Sequence, residues 1–288
     1  MVDSETKNQV RQFYDHVGWQ KMEEGFYQNA QFEDLRPVSK EYIHRCHLRV
    51  NRFLKPAGKY ILDAGSGPVQ YDEYMTYSKG YQYRVCLDIS LKALIQARKR
   101  VGERGLYVQA DLAYLPFKKN SFDGIVSLHA LHHLKFDEQE KTYFEFQRIL
   151  QKDAIAVIVI GWTVSKLMKK LFPLVLLMER FKRNPKGITA NKQDDLSKPL
   201  YVPDAMTSRT FVQEVDAQYL KIHIKGKFPL EIFVWRSVNV RFLRAVIQPG
   251  LAGKLWLKLL FRLEEIFPHF FGKYGAYPLI VMRKSSNI

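Results

Sequence analysis

The sequence predicts an α/β fold built on a mostly parallel sheet. From residue 59 onward, short apolar runs alternate with stretches of helical periodicity, and the runs are rich in Val, Ile and Leu without polar alternation. Strands of this kind are covered on both faces, as in a parallel sheet with helices on each side. Hydrophobic residues make up 47% of the 288 residues, which excludes the disordered class of proteins.

The apolar runs give the predicted order of strands and helices. Five strands are expected in KYILDAGSG, YRVCLDIS, GLYVQADL, FDGIVSLHAL and AIAVIVIGW, with helices over 91–101 and 137–150. Two helical stretches precede them, one ending at Gly18 and one over 38–54. Downstream, we predict a helix over 205–217, a strand over 219–225 and a last strand over 277–282.

Composition excludes several classes of protein. The N-terminus is acidic and polar without an apolar core, so no secretory signal is expected and the protein is predicted to be cytoplasmic. No run approaches the ~20 apolar residues of a membrane-spanning helix. Cys46 and Cys86 are too few for a disulfide framework and are interpreted as small buried hydrophobes. Nothing in the sequence requires a metal.

A glycine loop follows the first predicted strand. Asp63 ends the apolar run, and Gly65, Ser66 and Gly67 stand where the chain turns toward a helix. A side chain at either glycine would keep a nucleotide ligand away from the backbone, which is why such loops need glycine. An ordinary tight turn has the same composition. The residues that end the next three strands therefore decide whether this loop is predicted to bind a nucleotide.

Polar residues end the next three strands. Asp88 follows the second strand, where a carboxylate accepts both hydroxyls of a ribose, although it could also cap the next helix. Asp111 follows the third strand and is suited to accept from an adenine amino group while Leu112 packs on the base. His129 ends the fourth strand.

These segments together resemble the class I S-adenosylmethionine-dependent methyltransferases, the broad group that includes small-molecule and quinone methyltransferases. ILDAGSGP is similar to that family's first motif, VCLDIS to its ribose-binding motif, and QADLAYLPF with NSFDGIVSLHALHHL to its adenine and post-strand-four motifs. The resemblance covers about 59–161. It implies S-adenosylmethionine as cofactor and a Rossmann-like, doubly wound sheet of seven strands, mostly parallel, with an antiparallel last strand.

The resemblance also implies roles for individual residues. The methionine portion of the cofactor is placed by Asp63, Gly65, Ser66 and Gly67, the ribose by Asp88, the adenine by Ile89, Asp111 and Leu112, and His129 lies beside them. The family commonly has a further glycine at the position of Val69. A dinucleotide-binding dehydrogenase, the alternative for this half, expects its last glycine at Gln70.

Two histidines follow the fourth strand where an acceptor would approach. His132 and then His133 are the candidate general bases, because an imidazole pKa near ~6.5 suits removal of a hydroxyl proton. A packing role is the alternative for each. Aromatic residues near the N-terminus could form a cover over the cofactor: Phe13, Tyr14, Trp19, Phe26 and Tyr27. Of these, Tyr14 is predicted to bind the methionine carboxylate.

The domain organisation follows from these assignments. We predict a helical cover over 1–58 and a catalytic domain over 59–288, with two helical insertions at about 162–204 and 228–273 that build the acceptor pocket. Positive charge gathers in the second half: residues 1–150 carry 22 basic and 19 acidic residues, whereas 151–288 carry 23 and 10. Such asymmetry is typical of contact with an anionic partner.

Both insertions combine cationic residues with apolar stripes at helical spacing. In the second, the stripe is Trp256, Leu259, Leu260, Leu263, Phe267 and Phe270. Such helices suit an anionic membrane surface or a lid over a lipophilic substrate, although the stripe could also join the core. The predicted function is methylation of a lipophilic or membrane-associated small molecule, at oxygen by preference. The alternatives are an anionic soluble acceptor, RNA, or non-catalytic cofactor binding at a membrane.

Overall fold

The computed structural model describes residues 4–21, 27–183, 210–213 and 215–285. Its centre is one seven-stranded sheet: β1 (Gly58–Ala64), β2 (Tyr81–Asp88), β3 (Gly105–Gln109), β4 (Phe122–Leu128), β5 (Leu150–Val159), β6 (Leu230–Arg236) and β7 (Tyr277–Arg283). The strands lie in the order β3-β2-β1-β4-β5-β7-β6. The first five are parallel, and β7 runs antiparallel between β5 and β6. The predicted Rossmann-like fold class is confirmed.

Helices cover both faces of this sheet. They are α1 (Ser4–Phe13), α2 (Lys40–Leu48), α3 (Asp72–Met75), α4 (Leu91–Val101), α5 (Phe136–Ile149), α6 (Lys166–Arg183), α7 (Ala217–Tyr219), α8 (Val240–Val246), α9 (Gly253–Ile266) and α10 (Pro268–Tyr274). Leu62 of β1 packs toward α5, whereas its neighbour Ile61 packs toward α3 and α4. Side chains therefore alternate between two apolar layers, as a strand covered on both faces requires.

The sixth strand is not where the sequence predicted it. Residues 219–225 continue α7 as a single wide turn of π-helix (Leu220–Ile224), so the predicted strand there was wrong. Leu220 and Ile224 are buried four residues apart, a helical spacing that their alternating neighbours obscured. Strand β6 instead lies inside the second predicted insertion, where its residues are buried on both faces toward the end.

The second predicted insertion is shorter than expected, because its first part forms strand β6. Between β6 and β7 the helical part is α8 to α10, of which α8 and α9 pack on a third apolar cluster that also contains residues of α2 and α6. Of the first insertion, α6 is described, while 184–204 lie outside the described residues. The helix predicted over 205–217 lies outside them over 205–209 and at 214, and residues 210–213, 215 and 216 have no regular structure.

The N-terminal segment lies over the edge of the sheet. Helix α1 passes into a π-helical turn (Tyr14–Gly18), and α2 continues into a 3₁₀ turn (Arg49–Arg52). Both cysteines are buried free thiols. In the part of the chain that the structure describes, none of the helices is long and apolar enough to cross a membrane.

Candidate functional site

A cavity of about 1360 Å³ opens at the edge of the sheet where the parallel strands end. All twelve residues that the sequence singled out line it: Tyr14, Asp63, Gly65, Ser66, Gly67, Asp88, Ile89, Asp111, Leu112, His129, His132 and His133. Strands β1 to β3 bring one group of them together, and the segment after β4 brings the histidines. The structure thus gathers the predicted residues in one place, and their individual roles stay predictions.

The glycine loop turns sharply after β1. Gly65 has φ +75° and Gly67 has φ +53°, both in the left-handed region that favours glycine. A Cβ at Gly65 would lie 2.3 Å from the Ala130 side chain, and one at Gly67 would lie 2.8 Å from the Trp19 ring. Val69, which replaces the third glycine, also has a positive φ of 54°. The loop therefore keeps the backbone of a glycine turn at a β-branched residue.

Asp88 holds this loop from the end of β2. Its carboxylate accepts from the Gly67 amide at 2.8 Å and from the Ser90 amide at 2.9 Å. Burial raises the pKa of Asp88 to about 6 against the two amide hydrogen bonds, which lower it. Each carboxylate oxygen has a second lone pair, so the same group can accept from ribose hydroxyls.

Asp63 is neutralised inside the fold. The Arg84 guanidinium, from the adjacent strand β2, pairs with the Asp63 carboxylate, and both side chains are buried. Arg84 also donates to the Tyr74 carbonyl at 2.6 Å. The arginine was missed from the sequence, although a charged residue in the apolar run YRVCLD is a signal of buried pairing.

The N-terminal helix is fastened beside the predicted adenine site. Lys7 of α1 forms ion pairs with Asp111 and with Glu138 of α5. Asp111 also accepts from the Ala113 amide at 2.9 Å. One of the acceptor oxygens predicted for the adenine amine is thus shared with a lysine of the cover, which the sequence did not indicate.

Tyr14 does not stand free to bind a carboxylate. Its hydroxyl donates to His133 Nε2 at 2.7 Å, and its ring stacks on Trp19 with centroids 5.0 Å apart. His133 Nδ1 in turn donates to the Phe211 carbonyl at 2.7 Å. Both ring nitrogens of His133 are thus hydrogen-bonded, which favours His132 over His133 as the general base. The roles predicted for Tyr14 and His133 stay predictions.

His132 lies next to His133, with ring centroids 4.2 Å apart, and His129 lies 6.4 Å from His132. Burial lowers the pKa of His129 and of His133 to about 4 and that of His132 well below 6.5. All three imidazoles are therefore neutral at pH 7. The Nδ1 atom of His132 is buried and has no hydrogen-bond partner among the described residues.

The far half of the cavity is lined from β6 and β7. The Arg236 guanidinium, at the end of β6, pairs with Glu33 and lies 4.5 Å from the centre of the Tyr277 ring. Burial would raise the Glu33 pKa, but Arg236 and His47 lower it to about 2, so the pair stays ionised. His129 packs edge-on against Tyr277 at 5.6 Å. This half was not predicted residue by residue.

Several buried polar atoms of the lining lack a hydrogen-bond partner within the described part of the chain. They are Trp19 Nε1, Gln70 Oε1, Tyr71 Oη, His132 Nδ1, Thr210 Oγ1 and Arg236 Nε. A buried polar group without a partner costs about 1–3 kcal/mol, so such a set is explained by a ligand or solvent that fills the cavity. The set includes both donors and acceptors: Trp19 Nε1 and Gln70 Oε1 lie near the glycine loop, and His132 Nδ1 lies among the histidines.

Comparison with known proteins agrees with this geometry. Residues 62–158 match a family model described as a methyltransferase domain. The chain carries a class I S-adenosylmethionine-dependent methyltransferase domain. The matched range runs from β1 to β5, which are the strands that hold the glycine loop, Asp88 and Asp111.

Relatives of this methyltransferase domain include the malonyl-[acyl-carrier protein] O-methyltransferase of Legionella pneumophila. It is 32% identical over 103 residues, which are 35% of this chain and 36% of that protein. The chain thus matches about a third of the relative's length. Among solved structures, phosphoethanolamine N-methyltransferase 1 of Haemonchus contortus covers all of this chain and 51% of its own, at 10% identity and a TM-score of 0.57.

The [4+2]-cyclase SpnF is a second structural neighbour. It covers 97% of both chains at 16% identity and a TM-score of 0.51. At this identity the likeness shows the fold, and a fold does not decide the reaction.

S-adenosylmethionine is the cofactor of this methyltransferase domain, and the residues present fit it. The carboxylate of Asp88 suits ribose hydroxyls. Near Gly67 the indole Nε1 of Trp19 is buried without a described partner, as is Gln70 Oε1, so donor and acceptor capacity is available to the polar ends of the cofactor. Trp19 was named from the sequence only as part of the cover, and Gln70 was not proposed to bind.

Proposed function

We propose that the protein transfers a methyl group from S-adenosylmethionine to an oxygen of a lipophilic small molecule. The cavity carries this proposal. Its volume of about 1360 Å³ exceeds the ~300–1,000 Å³ of ordinary single-ligand pockets, which leaves room for an acceptor beside the cofactor. Its walls are mostly apolar, as a lipophilic acceptor requires.

The two ligands would occupy different halves of the cavity. The strands β1 to β3 bring Asp88, Asp111 and the glycine loop to one half, where the cofactor supplies an electrophilic methyl group on a sulfonium. The end of β6 and the beginning of β7 line the other half with Arg236 and Tyr277. The chain's task is then to align the acceptor and exclude water.

His132 is the proposed general base for a hydroxyl acceptor. A hydroxyl acceptor loses its proton when its oxygen is methylated, and the neutral imidazole of His132 would accept that proton. His132 is suited to this step because its Nδ1 is buried at the cavity without a partner among the described residues. His133, held by Tyr14 and Phe211, would position its neighbour. The cofactor contacts proposed for the other ten predicted residues are those stated from the sequence, except that Tyr14 acts through His133.

The test combines ligand identification with labelled methyl transfer. Purified protein should bind S-adenosylmethionine in calorimetry and transfer labelled methyl to a component of a lipid and metabolite extract. His132→Ala should lower kcat by about 100-fold or more while cofactor affinity is kept, since general base catalysis contributes about 10²–10⁴-fold. His16→Ala, an exposed histidine, is the control. No binding of the cofactor, or binding without turnover on any acceptor, would overturn the proposal; the second result would leave a non-catalytic cofactor-binding protein.

An acceptor with a carboxylate is the second candidate. Arg236 lines the acceptor half, and its Nε atom has no hydrogen-bond partner in the described ranges. The Legionella relative is named for O-methylation of malonyl-[acyl-carrier protein], which supports oxygen as the acceptor atom. A carboxylate needs no base. With this acceptor, His132→Ala should keep its activity and Arg236→Lys should lose affinity for the acceptor, because the lysine cannot reproduce a bidentate fork.

The place of action is also a proposal. We place the protein in the cytoplasm, at the inner face of a membrane, with residues 1–58 as a cover and 59–288 as the catalytic domain. The exposed apolar side chains of Trp256, Leu259 and Leu263 on α9 support the membrane part. RNA is the remaining alternative acceptor, and salt-sensitive binding of tRNA would support it.

A further inference from the structure

Helix α9 carries three different surfaces along its length. At 100° per residue, Leu257, Phe261 and Glu264 share one side of the helix, and all three are buried. Leu257 and Phe261 belong to the third apolar cluster, together with residues of α2 and α8, and Glu264 accepts a hydrogen bond from the Tyr42 hydroxyl at 2.7 Å. The helix therefore joins the core through this side alone.

A second side is apolar and faces solvent. It consists of Leu255, Trp256, Leu259, Leu263 and Ile266, which are between 38% and 67% exposed and span an arc of about 100°. Phe267 and Phe270 continue it, and both are more than half exposed. Five of the six residues of the stripe predicted from the sequence thus lie outside the core: Trp256, Leu259, Leu263, Phe267 and Phe270. The sixth, Leu260, packs against the third apolar cluster. A soluble monomer rarely exposes such a contiguous apolar patch.

The third side is basic and borders the exposed arc. Lys254, Lys258 and Arg262 follow one another at four-residue spacing, all exposed and without an ion pair to any described residue. The two acids of the helix do not offset them. Glu264 is buried and pairs with Arg49, and Glu265 pairs with Arg49 and Arg52.

We propose that this face of α9 and the start of α10 is an attachment site for an anionic lipid bilayer. The occupant follows from charge and apolarity together: an exposed apolar arc enters the interface between headgroups and acyl chains, and the adjacent cations meet anionic lipid. The exposed arcs of α9 carry no acidic residue between Gly253 and Ile266 other than the paired Glu265. A protein partner gives no reason for the residues that border the apolar arc, Lys254, Lys258 and Arg262, to be cations only.

The attachment site adjoins the acceptor half of the cavity. Helix α8 lies between them: Val240, Arg241 and Ala245 line the cavity, while Phe242 and Leu243 belong to the cluster on which α9 packs. Attachment through α9 would hold the acceptor half close to the lipid surface. The site goes beyond the proposed methyl transfer and does not depend on it, because lipid binding is measured without cofactor or acceptor.

The experiment is sedimentation of the full chain with vesicles. One set contains phosphatidylcholine alone, and the other contains phosphatidylcholine with phosphatidylglycerol, each at low and high salt. The apolar variant is Trp256→Ser with Leu259→Ser and Leu263→Ser. Its matched control is Leu91→Ser with Ile95→Ser, two exposed apolar residues of α4. The charge variant is Lys254→Glu with Lys258→Glu and Arg262→Glu, matched by Lys118→Glu with Lys119→Glu and Lys152→Glu, which are also exposed.

We expect salt-sensitive binding to the anionic vesicles. The charge variant should weaken it about 100-fold, since each cation near an anionic surface contributes about fivefold. The apolar variant should weaken it about tenfold or more, and both controls should bind like the unchanged chain. Equal binding by variants and controls would overturn the proposal. So would a dimer that dissociates in the apolar variant without lipid binding, because a second copy would then occupy the face. Circular dichroism spectra of the variants establish that they fold, and cofactor affinity reports separately on the proposed function.

Discussion

Tyr14 donates a hydrogen bond of 2.7 Å to His133 across 119 residues of sequence. The tyrosine belongs to the N-terminal cover, and the histidine follows β4. His133 passes the contact on to the Phe211 carbonyl, so a single imidazole links the cover, the end of the sheet and the segment before α7. The cover is thereby fixed to the loop that carries His132.

Tyr14→Phe tests this link. The change leaves a buried imidazole nitrogen unpaired, so we expect a loss of about 1–3 kcal/mol in the free energy of unfolding. Cofactor affinity should fall several-fold because the cover is less firmly held. Tyr83→Phe is the control, since the Tyr83 hydroxyl makes no hydrogen bond to the described residues. Denaturant unfolding and calorimetry measure the two effects. An unchanged free energy of unfolding would contradict the role of this hydrogen bond.

Lys7→Met tests the second fastening of the cover. The lysine pairs with both Asp111 and Glu138, and its removal leaves the half-buried Asp111 carboxylate and the buried Glu138 carboxylate without their cation. We expect faster amide exchange over α1 and faster release of the cofactor, by about tenfold for an opening free energy lowered by about 1.4 kcal/mol. Arg11→Met on the same helix is the control, because Arg11 contacts only Asn8 through a hydrogen bond among the described side chains. Equal exchange in the two variants would exclude this role for Lys7.

Asp88 predicts a pH dependence of cofactor binding. Burial raises its pKa to about 6, so the carboxylate is ionised at pH 7 and mostly protonated at pH 5. A protonated carboxyl accepts fewer hydrogen bonds from ribose hydroxyls, and affinity should therefore fall about tenfold between pH 7 and pH 5. Asp88→Asn should bind more weakly at pH 7 and lose most of this pH dependence. Calorimetry at several pH values measures both, and the same slope in the asparagine variant would assign it to another group.

At Val69 we expect the glycine variant to be more stable than the alanine variant, the reverse of the usual order. The residue is fully buried but has a φ of 54°, a conformation that is unfavourable for a β-branched side chain. Glycine relieves this strain, whereas alanine removes methyl groups and keeps most of it. Val69→Gly should therefore be about 1 kcal/mol more stable than Val69→Ala. At Val126 in β4, where the backbone is extended, alanine should be the more stable by a similar amount. Chemical denaturation of the four variants decides the order.

The strands β1 to β5 could be predicted from the sequence. They are continuous apolar runs, and the polar residues that end them reach one edge because parallel strands end at the same edge. Asp88 and Asp111 were predicted because each follows such a run, within a motif that resembles one of a known family. Both residues line the cavity, and predicting them needed no knowledge of side-chain contacts. Their roles stay predictions.

The contacts that could not be predicted join residues that are far apart in the sequence. Glu33 and Arg236 are 203 positions apart and become partners only when β6 joins the sheet beside β7. The sequence LEIFVWR did not alternate, because the strand is buried on both faces near its end, and it was grouped with the basic helices around it. Conversely, YLKIHIK alternated by chance, and its burial at Leu220 and Ile224 follows a helix. Periodicity in seven residues cannot separate these cases.

The antiparallel direction of β7 has a consequence for how this chain can diverge. Strand β6 ends and β7 begins at the same edge of the sheet, so the helices α8 to α10 leave and re-enter the fold at the mouth of the cavity. Replacing α8 to α10 would change the wall that α8 gives to the cavity, together with the exposed surface of α9. The strands β1 to β3, beside the glycine loop, would stay in place. The match to the family model covers 62–158 and so does not include α8 to α10. Exchange of the single segment α8 to α10 can thus change the acceptor and the attachment surface of such a chain together.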